Sequence, residues 1–138
     1  MNVTYLLDTN TVSYVAKGKP AAPRARLQAL GKDELACISS ITEAEIRYGL
    51  AKRPEAHSLR RAMEDLLLKF CILPWGSREA AAYGDLRAKL EAKESTLSEL
   101  DMMIAAHALA IGAVLVTSDK SLARIKDLSG TANWATGL

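Results

Sequence analysis

Val3-Thr4-Tyr5-Leu6-Leu7-Asp8-Thr9-Asn10-Thr11 is the stretch that decides how this chain is read. A short apolar, β-prone run stops at an aspartate, and threonine and asparagine follow at once. In a sheet covered on both faces such a run is a buried strand, and its last residues emerge at the sheet's C-terminal edge. Open α/β folds keep their ligands along that edge. The first strand therefore carries the Asp8 carboxylate to a place suited to chemistry. An Asp at that position also makes a good helix N-cap, and taken alone the cap is the stronger reading.

Working outward, strands alternate with helices. Thr9 to Ala16 reads as a short helix ended near Gly18, with Pro20 and Pro23 closing the loop, and Arg24 to Leu30 as a second helix stopped at Gly31. Leu35 to Ser40 is a strand and Ile41 to Lys52 a helix. Ala56 to Lys69 is a longer helix with Leu59, Met63, Leu66, Leu67 and Phe70 on one stripe. Cys71 to Trp75 is a third strand, placed at a sheet edge or a strand end by Pro74. Ser77 caps a helix to about Lys93, and Ser98 to Ile111 is an almost wholly apolar helix stopped by Gly112. Ala113 to Thr117 is the clearest strand, Ser118-Asp119 opens a short helix, and Asn133-Trp134-Ala135 adds a last short strand. This alternation predicts an α/β fold, a mainly parallel sheet with helices on both faces.

The chain has 138 residues, the size of one domain with one core. Its composition, 49% hydrophobic and 25% charged, is that of an ordinary globular protein. No apolar run reaches a membrane span, and Met1-Asn2 leads straight into a strand, so the expectation is a cytoplasmic protein. Cys37 and Cys71 sit in apolar surroundings far apart in sequence. With only two histidines beside them they predict buried, reduced thiols in place of a disulfide or zinc site. The net charge of +2 names no partner. Between Asp8 and Asp33, however, Lys17, Lys19, Arg24, Arg26 and Lys32 stand without an acid. The segment is either a solvated loop or a contact for a phosphate backbone.

Three further acids join Asp8. Glu43 and Glu45 open the helix after the second strand and point nearly opposite ways. Glu43 has Arg47 at i+4 for an ion pair, which leaves Glu45 to face a pocket, although Thr42 and Glu45 also fit a capping box. Asp101 heads the buried Ser98–Ile111 helix, where a carboxylate either caps or is paired or metal-bound. Asp119 follows its strand as Asp8 follows the first, with Thr117 at the same edge. Each acid alone is more often structural than functional. Together, all four lie at C-terminal strand ends or in helix first turns starting from that edge. Crowded carboxylates repel, so they hold protons or cations. Oxygen ligands without His or Cys suit Mg2+ or, as an alternative, Mn2+, and such sites activate water and stabilise phosphoryl charge. There is no G-x-S-x-G elbow and no Walker motif.

Four segments carry a family resemblance. They are Leu6-Leu7-Asp8-Thr9-Asn10, then Ser39-Ser40-Ile41-Thr42-x-x-Glu45-Ile46-Arg47-Tyr48-Gly49, then Asp101-x-x-Ile104-Ala105-Ala106-His107-Ala108, then Val116-Thr117-Ser118-Asp119. In this order they resemble the motifs of PIN-domain ribonucleases, and more narrowly the VapC toxins of bacterial toxin–antitoxin pairs. The likeness covers essentially the whole chain, and Trp134 suits the usual end. Ser121-Leu122 stands where many relatives carry an aromatic residue.

The resemblance implies one PIN-like domain over residues 1–138, a three-layer α/β/α sandwich with a short, mainly parallel sheet. It implies a metal site of Asp8, Glu45, Asp101 and Asp119, with Asn10 and Thr117 in support. The reaction implied is hydrolytic RNA cleavage leaving a 5′-phosphate. Lys17, Lys19, Arg24 and Arg26 are the candidate substrate contacts. The implied partners are RNA, a VapB-type antitoxin and a second copy of the chain as a homodimer or within a toxin–antitoxin hetero-oligomer, with no membrane. Two other readings stand beside it. One is a catalytically silent PIN-like binding module, the other a phosphatase with an aspartate nucleophile, which usually needs a second acid where Asn10 stands. His107 reads as helix packing or a hydrogen bond, not as a ligand.

Overall fold

The structure, a computed structural model, describes residues 2–95 and 97–136. Five parallel strands form the central sheet in the order β3-β2-β1-β4-β5. The strands are β1 (Val3–Leu7), β2 (Glu34–Ser39), β3 (Cys71–Leu73), β4 (Val114–Val116) and β5 (Thr131–Ala132). Between them lie α1 (Thr9–Lys17), α2 (Ala22–Gln28), α3 (Ser40–Ala51), α4 (His57–Leu67), α5 (Ser77–Ala92), α6 (Glu99–Ile111) and α7 (Lys120–Ala123).

Alternation along the strands builds the three layers. Successive side chains leave a strand on opposite faces. Leu7, Ile38 and Val116 therefore enter one core with Val12 of α1, Ile46 of α3, Met63 of α4 and Phe70 just before β3. Leu6, Cys37 and Leu115 enter the other with Leu86 of α5, Ile104 and Ala105 of α6, and Leu122 of α7. Leu6 and Leu7 are both fully buried, each worth ~2 kcal/mol of transfer free energy. This double burial explains why the opening strand reads as a continuous apolar run. It also sets β1 at the sheet's centre, between β2 and β4.

Several sequence expectations are redrawn. Pro23 does not close the loop before α2; it lies in the helix's first turn, where its missing N–H costs nothing. Gly76, not Ser77, occupies the N-cap of α5, and the Glu79 carboxylate accepts the Gly76 N–H at 2.9 Å. The last strand is Thr131–Ala132, whereas Trp134 starts a 3-10 turn and is buried against the first core. A β-prone tryptophan in a short terminal run has the local pattern of a strand residue, and only its tertiary burial sets it apart. As predicted, β3 lies at a sheet edge, and Pro74 directly follows its last residue. Cys37 and Cys71 are cross-strand partners in β2 and β3 despite their sequence separation, and both are free thiols. Burial, with Cys71 beside it, pushes the Cys37 thiol up to about 12. No helix among the described residues is long and apolar enough to cross a membrane.

Candidate active site

The C-terminal edge of the sheet gathers the acids through backbone geometry. The Asp8 N–H donates to the Val116 carbonyl at 3.0 Å, so β1 and β4 stay paired to their last residues. Asp8 then leaves the strand as the N-cap of α1, its Oδ1 accepting the Thr11 N–H at 2.9 Å. Asp119 does the same for α7, accepting from the N–H groups of Ser121 (2.7 Å) and Leu122 (3.2 Å). Its own N–H donates to Oγ1 of buried Thr117 at 3.0 Å, which fixes the turn out of β4. Both aspartates are thus caps, and capping occupies only Oδ1 of each. Among the described residues, Oδ2 of neither makes a hydrogen bond.

Asp101 stands in the first turn of α6, its N–H donating to the N-cap hydroxyl of Ser98 at 3.1 Å. Its carboxyl is raised above the usual aspartate range, first by burial. Ser98 opposes the rise, and the charges of Asp119 and Asp8 reinforce it. Asp8, Asp101 and Asp119 therefore form one electrostatic group. Glu45 reaches the edge differently. The Thr9 hydroxyl donates to Glu45 Oε1 at 2.7 Å and ties α3 to the first residue of α1. Glu43 turns away and binds Arg47 at 2.9 Å, and α3 is capped by Ser39, with Thr42 buried inside the helix. The capping-box alternative for Glu45 is not what the structure shows.

Among the described residues, none of the four acids pairs with a Lys or Arg side chain. No three Asp, Glu, His or Cys side chains among them converge closely enough to enclose an ion as they stand. The donor chemistry nonetheless fits a hard dication. It consists of carboxylate oxygens alone, with mutual repulsion at Asp101 that a cation would relieve. Thr9 is the residue sequence reasoning passed over. Its signal was a hydroxyl directly after Asp8, legible only once Glu45 is known to come within reach. Asn10 is exposed on α1, and its side chain makes no hydrogen bond among the described residues.

The basic segment does not gather at this edge. Arg24 turns back on α1, donating from Nε to the Val15 carbonyl (2.9 Å) and from Nη2 to the Ala16 carbonyl (2.7 Å). Arg26 binds Glu34 at 2.8 Å and lies against the rings of Tyr5 and Trp134. Lys17 ends α1, about 12 Å of helix rise from Thr9, and Lys19 follows it; both are exposed. A cavity of about 560 Å3 lies under α2 and α4 against the start of β2, at the opposite end of the sheet from the acids. His107 is buried inside α6 with Nδ1 unpartnered, and burial lowers its pKa.

Known proteins are similar to this chain in sequence and fold. Residues 5–128 match the PIN domain family model. Ribonuclease VapC2 of Haemophilus influenzae is 37% identical over 132 residues, covering 94% of this chain and 97% of the relative. The tRNA(fMet)-specific endonuclease VapC of Shigella flexneri is 30% identical, covering 95% and 98%. The crystal structure of VapBC2 from Rickettsia felis, bound to a DNA fragment from its promoter, matches with a TM-score of 0.88 and 32% identity over 96% of this chain and 99% of that one. The chain belongs to the PIN-domain family and, within it, to the VapC group.

Proposed function

We propose that this chain is the endoribonuclease toxin of a VapBC-type pair, working in the cytoplasm with Mg2+, or Mn2+ in its place, and restrained by a VapB-type antitoxin. The observation that carries the reading is the set of four acids at one sheet edge, three of them electrostatically linked and none neutralised by a lysine or arginine among the described residues. Relatives named as ribonucleases and a tRNA-specific endonuclease, and a structural match crystallised as a VapBC complex, support it.

Asp8, Asp101 and Asp119 would hold the cation, with Glu45 beside them. Once bound, a divalent ion supplies positive charge for the phosphoryl oxygens and lowers the pKa of water. The protein's own contributions are distinct. Capping fixes one oxygen of Asp8 and of Asp119 and leaves the second oxygen of each without a hydrogen bond among the described residues, open to a cation. The Thr9 hydroxyl orients Glu45, whose other oxygen is available to accept a proton from the attacking water. Thr117 holds the turn that presents Asp119.

The test is cleavage of RNA by the purified chain with Mg2+ or Mn2+, read by mapping the 5′ ends. Activity lost to EDTA, and lost in Asp8→Asn and Asp101→Asn, is expected. Cleavage that survives both substitutions would remove the acids from the chemistry. A folded chain that never cleaves RNA would favour the silent binding module. An acyl-phosphate trapped on Asp8 would favour the phosphatase.

A further inference from the structure

A second cleft, about 890 Å3, opens between the C-terminal half of α5 and α7 with the segment after it. Four cations line it, Lys89, Lys93, Arg124 and Lys126, against two acids, Glu94 and Asp127. Lys89 is spent on Asp127 at 3.1 Å. Lys93, Arg124 and Lys126 are exposed, and among the described residues their side chains make no ion pair or hydrogen bond. Most of the arginines elsewhere are already committed: Arg24 to carbonyls, Arg26 to Glu34, Arg47 to Glu43, Arg78 to Glu79 and Arg87 to Tyr83 and neighbouring glutamates.

The cleft is continuous with the acid edge. Ser121 lines it, and the N–H of that same residue holds the Asp119 carboxylate at 2.7 Å. Arg124 is the C-cap of α7, so it lies one short helix beyond the N-cap Asp119. On the other wall, Leu86 of α5 is followed by Arg87, which pairs with Glu99 at 3.5 Å, two residues before Asp101. A site built from four carboxylates repels a polyanion, so an approaching strand needs free cations beside it. The cleft places three of them there. Its floor is aliphatic, Leu86, Leu90 and Ile125, and among the described residues lining it there is no aromatic ring on which a base would stack.

We propose that this cleft carries the phosphate backbone of the RNA strand whose scissile bond lies at the acids, with Lys93, Arg124 and Lys126 as the phosphate contacts. The contacts are to the backbone, so they set affinity without selecting sequence. This rests on the nuclease reading above and replaces the α1–α2 basic segment as the substrate surface.

The experiment compares the full chain with the triple variant Lys93→Gln, Arg124→Gln, Lys126→Gln. A control, Arg53→Gln, Arg61→Gln, Lys69→Gln, makes the same change in net charge away from the cleft. The probe is a fluorescein-labelled, mixed-sequence single-stranded RNA of about 20 nucleotides, read by anisotropy in EDTA across a salt series. Cleavage of the same RNA with Mn2+ is followed in parallel. The expected result is at least ~10-fold weaker binding for the cleft variant, a salt slope lower by about 2, an unchanged thermal transition, an unchanged pattern of cut positions, and near wild-type binding for the control. Cleavage by all three proteins with equal affinity would overturn the cleft while leaving the nuclease reading intact. A shifted pattern of cut positions would overturn backbone-only contact. A wild-type chain that neither binds nor cuts RNA would overturn both.

Discussion

Arg24→Ala separates a structural from a substrate role for the basic segment after α1. The guanidinium makes two hydrogen bonds to the last carbonyls of α1, at 2.9 and 2.7 Å, the first half-buried and the second exposed. It also lies over Gly18, which takes a left-handed φ of 69° as the C-cap of that helix; a Cβ there would sit 2.7 Å from the guanidinium. A hydrogen bond from a charged donor is worth ~1.5–3 kcal/mol. Counting the half-buried bond near ~2 and the exposed one near ~1 gives a loss of about 3 kcal/mol. Unfolding entropy of ~2.1 cal/mol/K per residue makes ~290 cal/mol/K for 138 residues, so the Tm should fall by about 10 °C. Arg24→Lys should recover less than half, because an ammonium cannot reproduce the two-pronged fork. The assay is calorimetry beside RNA anisotropy at a temperature where the variant is folded. A Tm within ~2 °C of wild type together with lost RNA affinity would refute the argument and return Arg24 to the substrate surface.

The acid edge makes its own predictions. A carboxyl whose pKa rises on folding binds its proton more tightly in the folded state, so Asp101 destabilises the metal-free protein above that raised value and less below it. Asp101→Asn should therefore raise the metal-free Tm near neutral pH while abolishing cleavage, and Mg2+ should raise the Tm of wild type more than that of the variant; a lower metal-free Tm would contradict the repulsion. Thr9→Val keeps the shape and removes the bond to Glu45, so divalent-ion affinity should fall about tenfold with the Tm nearly unchanged, measured by titration calorimetry. Glu34 is held down at about 2 by the Arg26 hydrogen bond, then by the Gly31 N–H and the Tyr5 hydroxyl. A depressed carboxyl contributes stability above its unfolded value of 4.5 and loses it as pH falls toward about 2, so Glu34→Gln should flatten the Tm profile across that window.

The sequence by itself determined the layered α/β architecture, because short continuous apolar runs and strand–helix alternation are local signals. Leu6-Leu7 and Val114-Leu115-Val116 read as strands buried on both faces, and they are. It also determined that Glu43 belongs to Arg47, since i+4 spacing on a helix fixes that pair. The four acids were legible as candidates for the same reason: each follows a strand or opens a helix. What the sequence could not decide was which groups meet across distant segments. The Thr9–Glu45 bond spans 36 positions, and Cys37 and Cys71 face each other although nothing in their spacing says so. The run from Lys17 to Lys32 read as either a solvated loop or a phosphate contact, because sequence counts charges without their partners. The fold commits Arg24 to carbonyls and Arg26 to Glu34, and sets Lys93, Arg124 and Lys126, unpaired among the described residues, just past the ends of α5 and α7. Asp8 shows both halves: its strand-end position was written locally, but its company of Asp101 and Asp119 came from pairing β1 with β4 and laying α6 across them.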